Sequence, residues 1–313
     1  MKRALVTLLL AVAANSASAQ AVTRIIVPFA AGGVQDILAR AISSELGTAI
    51  GRSVIVENRP GAGGTIGTAL VAKAPPDGHT LVLAAASHTI NGSLHAKLPY
   101  DPIRDFSGVA HIGTVEYVLM INPRIPAKTV GEFVAYARAN PGKLNYATAG
   151  SGTATHLSMA YFAALAGIDM AHIPFKGTNE AVNEVLAGRA DAVIAANIGA
   201  LAFVKDPRIR MLGVTSAKRS KFLPELPTIA DGVPGYEFDS WLGLLGPAGM
   251  PRGTVDQLNL AVAALLRDAV ILERLAKQGI EPQALSPEAF DALLRADFDR
   301  MARVVKASGA RVE

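Results

Sequence analysis

Nine short runs rich in Val, Ile, Leu and Ala punctuate the chain: RIIVPF (24–29), SVIVEN (53–58), TLVLAA (80–85), YVLMIN (117–122), LNYATA (144–149), MAHIPF (170–175), DAVIAA (191–196), IRMLGV (209–214) and WLGLLGP (241–247). A strand with one wet face alternates apolar and polar residues. Several of these runs are nearly continuous instead, which requires strands covered on both faces, as in a parallel sheet. The covering elements are visible between them. Ile37, Leu38, Ala41, Ile42 and Leu46 form one helical stripe, and Ala181, Val182, Val185 and Leu186 form another. Near the end, Phe290, Leu293, Leu294, Phe298, Met301 and Val305 recur at three and four. Strands alternating with helices predict an α/β architecture.

Two stretches break the alternation. GTVEYVLMINPRIP (113–126) ends in proline-bounded extended chain, and residues 223–247 carry too many prolines and glycines for one long element. Two crossings between lobes account for both: residues 124–235 form an inserted lobe, and residues 20–123 with 236–313 form the first. A length of 313 residues suits two such units. A cleft between α/β lobes is a common place for a small ligand.

The first nineteen residues read as an export signal. Lys2 and Arg3 precede the apolar run Ala4–Ala14, and Ala17-Ser18-Ala19 fits a small-x-small cleavage site before Gln20. That run is too short to span a bilayer, which takes roughly 20 residues. Removing Lys2 and Arg3 takes the 30 Lys and Arg to 28 against 26 Asp and Glu. So mild a surplus argues against a dedicated nucleic-acid or membrane-surface binder. The chain has no cysteine, which excludes disulfides, zinc thiolates and thiol nucleophiles. Its six histidines are scattered, with no two at metal-ligand spacing, so neither metal nor cofactor is expected.

Two loops stand out as ligand-facing. PFAAGGVQD (28–36) lies between a strand run and a helical stripe, with Ala30, Ala31, Gly32 and Gly33 too small to shield backbone amides. Helix N-termini present unpaired N–H groups and a partial positive charge, and so attract carboxylate or phosphate. Asp36 falls in the first helical turn, where it either meets the ligand or simply favours the helix. TAGSGTATH (148–156) repeats the design in the other lobe, with Ser151, Gly152 and Thr153 at a helix start. Thr153 also suits an ordinary N-cap. His156 either donates to a bound carboxylate or ties its own loop.

A serine nucleophile at Ser151 with His156 as base is the rival reading, an exported hydrolase. It lacks the outer glycines of the G-x-S-x-G elbow and an acid to orient the histidine. RPGAGGTIGT (59–68) has no Lys-Ser/Thr pair and misses the dinucleotide spacing by one residue, so it reads as a tight turn. Ser87 to Thr89 follow a strand run and are expected to line the cleft. Lys176 follows another, where it pairs with an anion or stays solvated, and Trp241 at the second crossing walls a ligand or packs.

VPFAAGGVQDILAR, VENRPGAGGTIGT, PPDGHTLVL, LPYDPIRDF, AGSGTATHLSM, IPFKGTNEAV, TSAKRSKFLPELPTIAD and GPAGMP, in this order, resemble the periplasmic solute receptors of tripartite tricarboxylate transporters, the Bug-type receptors. The likeness covers essentially all of the chain after the signal. It implies a two-lobed periplasmic binding fold of type II, with two crossover strands, in a monomeric periplasmic receptor that is not an enzyme. It also implies capture of a small organic anion, a carboxylate or dicarboxylate, for the transporter's membrane subunits or for a sensor kinase. By position, Phe29–Gly33, Asp36, Ser87 and Thr89 would face the ligand from the first lobe. Ser151, Gly152, Thr153, His156, Lys176, Gly177 and Thr178 would face it from the second. Ala30-Ala31 replaces a common proline. Ala195-Ala196-Asn197 stands where the family often has an acid, so Asn197 joins the expected site and an amino-acid ligand is disfavoured.

Overall fold

A computed structural model describes residues 22–310 apart from Ala96; the expected signal segment lies outside the described residues. Along the chain come β1 (Val22–Val27), α1 (Val34–Ile50), β2 (Ser53–Asn58), α2 (Thr65–Ala72), β3 (Thr80–Ala85), α3 (Ser87–Leu94) and the long β4 (Phe106–Ile121). There follow α4 (Val130–Ala139), β5 (Leu144–Thr148), α5 (Ala154–Ala166), β6 (Met170–Pro174), α6 (Thr178–Leu186), β7 (Ala192–Ala196), α7 (Asn197–Leu201) and β8 (Arg210–Val214). The last part holds β9 (Asp239–Pro247), α8 (Arg252–Leu265), α9 (Ala269–Lys277), β10 (Ile280–Pro282) and α10 (Pro287–Ser308). The molecule is the two-lobed α/β fold of periplasmic binding proteins.

All nine apolar runs became strands, and their alternating residues serve opposite faces. Ile25 and Val27 of β1 enter one core with Leu81 and Leu83 of β3, while Ile26, Val82 and Ala84 enter another with Trp241 and Phe290. In β4, Leu119 and Ile121 face the first of these cores, while Val118 and Met120 meet Ala181, Val182 and Val185 of α6. In β3, β7 and β9 both faces are dry, which is why those runs show no polar alternation, whereas the edge strands β2 and β6 keep exposed positions.

β1 pairs in parallel with β2 and β3, and β5 in parallel with β6 and β7. One strand joins the two groups. Phe106–Glu116 of β4 pair with β9, and Tyr117–Ile121 pair with β7. At that changeover three passages of chain are bonded together. Tyr117 N–H donates to Thr215 Oγ1 (2.8 Å), Thr215 N–H to Tyr117 O (2.9 Å), and Phe238 N–H to Thr215 O (2.9 Å). Beside them Asn197 Nδ2 donates to Gly279 O (2.8 Å) and stands 3.3 Å from Glu116 Oε1. Gly279, at φ 65°, could carry no side chain there, since a Cβ would lie 2.3 Å from Asn197 Oδ1. Asn197 therefore holds the join between lobes.

Trp241 packs instead of walling a ligand. It is buried, sits edge-on to Phe290 (5.5 Å), and donates Nε1–H to Asp297 Oδ2 at 2.9 Å. The same carboxylate receives the Thr89 hydroxyl at 2.6 Å, and its Oδ1 takes Arg300 Nη2 at 2.8 Å. Asp297 thus pins α10 to α3 and β9. Removing it leaves buried donors and a half-buried guanidinium without partners. Asp297→Ala is expected to cost about 2–4 kcal/mol in urea unfolding, by a lower midpoint at unchanged slope. Asp297→Asn, which keeps an acceptor, should cost less.

Candidate ligand-binding site

Parallel strands deliver their following helices to one edge of the sheet, and here the edges of both lobes meet. The starts of α1, α3, α5 and α6 surround a cavity of roughly 280 Å³. Three of these starts share one local wiring. Gly32 N–H donates to Asp36 Oδ2 (2.9 Å), Gly152 N–H to His156 Nδ1 (3.3 Å), and Lys176 N–H to Glu180 Oε2 (3.1 Å). In each, a side chain in the first turn reaches back four residues and ties the loop, as the acid of a capping box does. At α1, α3 and α6 the first-turn amides themselves stay free of side-chain caps. Gly33, Ala86 and Gly177 cap α1, α3 and α6 with no side-chain hydrogen bond. Ile37 N–H reaches Gly33 O (3.0 Å) and Ala181 N–H reaches Gly177 O (3.2 Å), so residues 34–36 and 178–180 precede the first intrahelical bond.

The rest of the lining is nearly neutral. Phe29, Ala30, Ala31, Gly33, Ser87, Thr153, Lys176, Gly177 and Thr178 all line the cavity. Thr153 caps α5, accepting from His156 N–H (3.3 Å) and donating to Gly150 O (2.7 Å). Asn179 reaches across the cleft to Gly32 O at 3.5 Å. Tyr117 adds a buried phenol, which burial pushes up to about 12, so it stays a neutral donor. Such a site can grip an anion through peptide N–H groups, hydroxyls and one lysine.

Other expected residues lie elsewhere. Asp36 is buried beneath its helix start, bonded to Gly32 N–H and to Arg40 Nε at 2.9 Å. Burial pushes its carboxyl up, but the bonds from Arg40, Gly32 and Asn58 outweigh that and hold it below the usual range. Gly32 supplies the left-handed turn (φ 83°). Thr89 belongs to the Asp297 cluster, Asn197 to the lobe join, and Ser151 to a neighbouring chamber. Gly152 and His156 tie their own loop. His156 stacks on His172 at 4.1 Å, and no hydrogen bond joins it to Ser151 among the described residues. The geometry a serine hydrolase needs is therefore not formed.

Sequence reasoning missed Gln35, Tyr117, Thr155, Asn179 and Glu180 in the lining. Four of them sit in the first turn of helices whose preceding loops were recognised: Gln35 and Thr155 lie within the loops 28–36 and 148–156, and Asn179 and Glu180 one and two residues beyond Thr178. Tyr117 gave none beyond its place in the crossing. Among the described residues no group of three metal-ligating side chains forms.

Burial holds His88 at about 4, burial and the adjacent His172 hold His156 at about 4, and burial brings His172 to about 4. Unfolded histidine titrates near ~6.5. As pH falls through that value the unfolded chain takes up protons that the folded one refuses, so stability is complete above ~6.5 and is lost toward about 4. Urea unfolding at pH 5 should show a loss against pH 7.5 of up to about 2 kcal/mol for each of the buried His88 and His156 rings, and less for the half-buried, solvent-screened His172. His172→Gln should flatten that slope.

Residues 38–310 match the profile of the tripartite tricarboxylate transporter family receptor. BugT of Bordetella pertussis is 31% identical over 293 residues, 93% of this chain and 90% of BugT. Rpa4515 of R. palustris, solved with adipate, superposes with a TM-score of 0.87 at 34% identity, covering 93% of this chain and 98% of that one. MatC (Rpa3494) from Rhodopseudomonas palustris, solved with bound malate, gives a TM-score of 0.84 at 31% identity, over 91% and 98% of the two chains. With the two-lobed fold and the cleft of helix starts, these matches make the chain a member of the tripartite tricarboxylate transporter receptor family, the Bug-type periplasmic solute-binding proteins.

Proposed function

We propose that the protein captures a small organic anion, a carboxylate or dicarboxylate, between its lobes and presents it to the membrane subunits of a tripartite tricarboxylate transporter. The observation that carries this is the convergence of four helix N-termini on one cavity, three of them without a side-chain cap at the start. Each helix start brings about half a positive charge, and hydrogen bonds to a charged acceptor are worth about 1.5–3 kcal/mol each. Relatives of the same fold hold adipate and malate. Export through a cleaved N-terminal segment would place the protein in the periplasm. Residues 20–123 with 236–313 form one lobe and 124–235 the other, hinged where Tyr117, Thr215 and Phe238 are bonded. No catalytic step is assigned.

Proline at the first helical position removes one N–H that no carbonyl uses and otherwise suits a helix start. Val34→Pro and Thr178→Pro therefore test the amides directly, because Gly33 and Gly177 already hold the extended backbone that proline requires before it. Calorimetry with malate, adipate and succinate is expected to find binding that each substitution weakens about tenfold to a hundredfold. Melting of the free protein should change little, and Thr178→Ala separates loss of the hydroxyl from loss of the amide. A neutral solute binding where none of these acids does would overturn the proposal.

A further inference from the structure

The glycine turn of RPGAGGTIGT takes no part in the lining of the ligand cavity. Gly61–Gly64 lie beside it and, with His95, Ser151 and Phe175, wall a neighbouring chamber of roughly 650 Å³. The reason the turn is bare lies across the cleft. Gly63 has φ 62°, and a Cβ on it would stand 2.6 Å from Ser151 O. Facing it, Gly152 has φ 79°, and a Cβ there would stand 2.7 Å from Asn91 Oδ1, 3.5 Å from Leu94 Cδ2 and 3.6 Å from His95 Nε2. Two glycines, one from each side, thus let the turn and the second half of α3 close on the loop that opens α5.

This seam leaves polar atoms bare. Asn91, at 1% exposure, donates Nδ2–H to Gly63 O (3.0 Å) and so braces the turn against α3. Its Oδ1 and His95 Nε2 have no hydrogen-bond partner among the described residues, and neither is open to solvent. Buried polar atoms are nearly always paired, because one left bare forfeits the hydrogen bonds that water would give it. Both orphans face the same glycine of the opposite loop, so drawing that loop away returns water to both. Burial also keeps the His95 imidazole below its ordinary value, as befits a ring stripped of water. A contact elsewhere across the cleft differs in kind: there Asn179 Nδ2 reaches Gly32 O at 3.5 Å, and closing makes a bond.

From the close approach at two glycines and the two orphaned atoms beside it, we infer that Gly63, Asn91, His95 and Gly152 are positioning residues that govern closure. Their seam sets how nearly the two rims meet, and its unpaired atoms hold the empty receptor open until a ligand offsets them. None of the four lines the ligand cavity, but the starts of α3 and α5 do, so shutting the seam brings those starts onto a guest. A receptor that binds only when closed loses apparent affinity in proportion to the time it spends open. This rests on the anion-binding function proposed above and adds the device that regulates it.

The test uses the chain from Gln20 onward, with calorimetry against malate, adipate and succinate and small-angle scattering of the ligand-free protein. His95→Leu removes one orphan and keeps apolar bulk. It should tighten binding about fivefold or more and shift the ligand-free chain to a smaller radius of gyration. Gly152→Ala sets a methyl against Asn91 Oδ1 and should weaken binding about tenfold or more. Adding Asn91→Ala removes the atom that is struck and should recover at least about fivefold of that loss, a rescue that backbone strain at residue 152 would not show. If circular dichroism shows Gly152→Ala misfolded, His95→Leu decides. Unchanged or weaker binding by His95→Leu, or a double variant no tighter than Gly152→Ala alone, overturns the inference and leaves the anion function standing. Should none of the three acids bind, the anion function fails, and scattering decides the seam alone: a more compact His95→Leu chain supports it, and an unchanged radius overturns it.

Discussion

A parallel strand cannot turn directly into its neighbour; it must cross over through a helix that packs back on the sheet. Each such helix begins beyond the carboxyl end of the strand before it, with its unpaired amides facing outward. Everything that makes this protein a binder follows from that constraint applied twice. β1 and β3 deliver α1 and α3 to one rim, and β5 and β6 deliver α5 and α6 to the other. Because β4 is hydrogen-bonded in both lobes, the two rims face each other across one cleft. Positive ends of helices are thereby concentrated without a cluster of lysines or arginines, whose mutual repulsion would cost stability.

The side chains around the cleft are arranged to keep those amides available. Asp36, His156 and Glu180 tie the loop residue behind the cap and leave the first-turn N–H groups alone. Asp36 is itself paired with Arg40, which offsets the negative charge its carboxylate would otherwise bring close to the cavity. The stacked His156 and His172 stay uncharged for the opposite reason: burial removes water that would stabilise a second positive ring. Tyr117 and Phe29 line the same cavity, and the glycine turn walls the chamber beside it.

Much of the fold was legible because its signals are local. Continuous apolar runs such as DAVIAA and TLVLAA declare strands covered on both faces, and the stripe of Leu38, Ile42 and Leu46 declares the helix that covers them. The loops 28–36, 148–156 and 175–178 were likewise visible, since small residues between a strand and a helix leave amides bare. Less legible were the first half of β4, whose FSGVAHIGT interrupts its apolar residues with glycines at register shifts, and the three-residue β10 beside it. The roles of Asp36, Thr89 and Asn197 were also hidden. Asp36 answers to Arg40 one turn on, but Thr89 answers to Asp297 and Asn197 to Gly279, partners far along the chain.

The amino-acid order alone therefore determined the α/β architecture and the small-residue loops that open its helices, because each depends on residues within a few positions of one another. Tertiary structure alone decided which of those residues reach the cavity, that Tyr117 joins them, and that a second chamber opens beside the first. Those outcomes depend on how two lobes built from distant segments meet. A contact across that meeting is set by packing over the whole sheet, and no short window of sequence carries it.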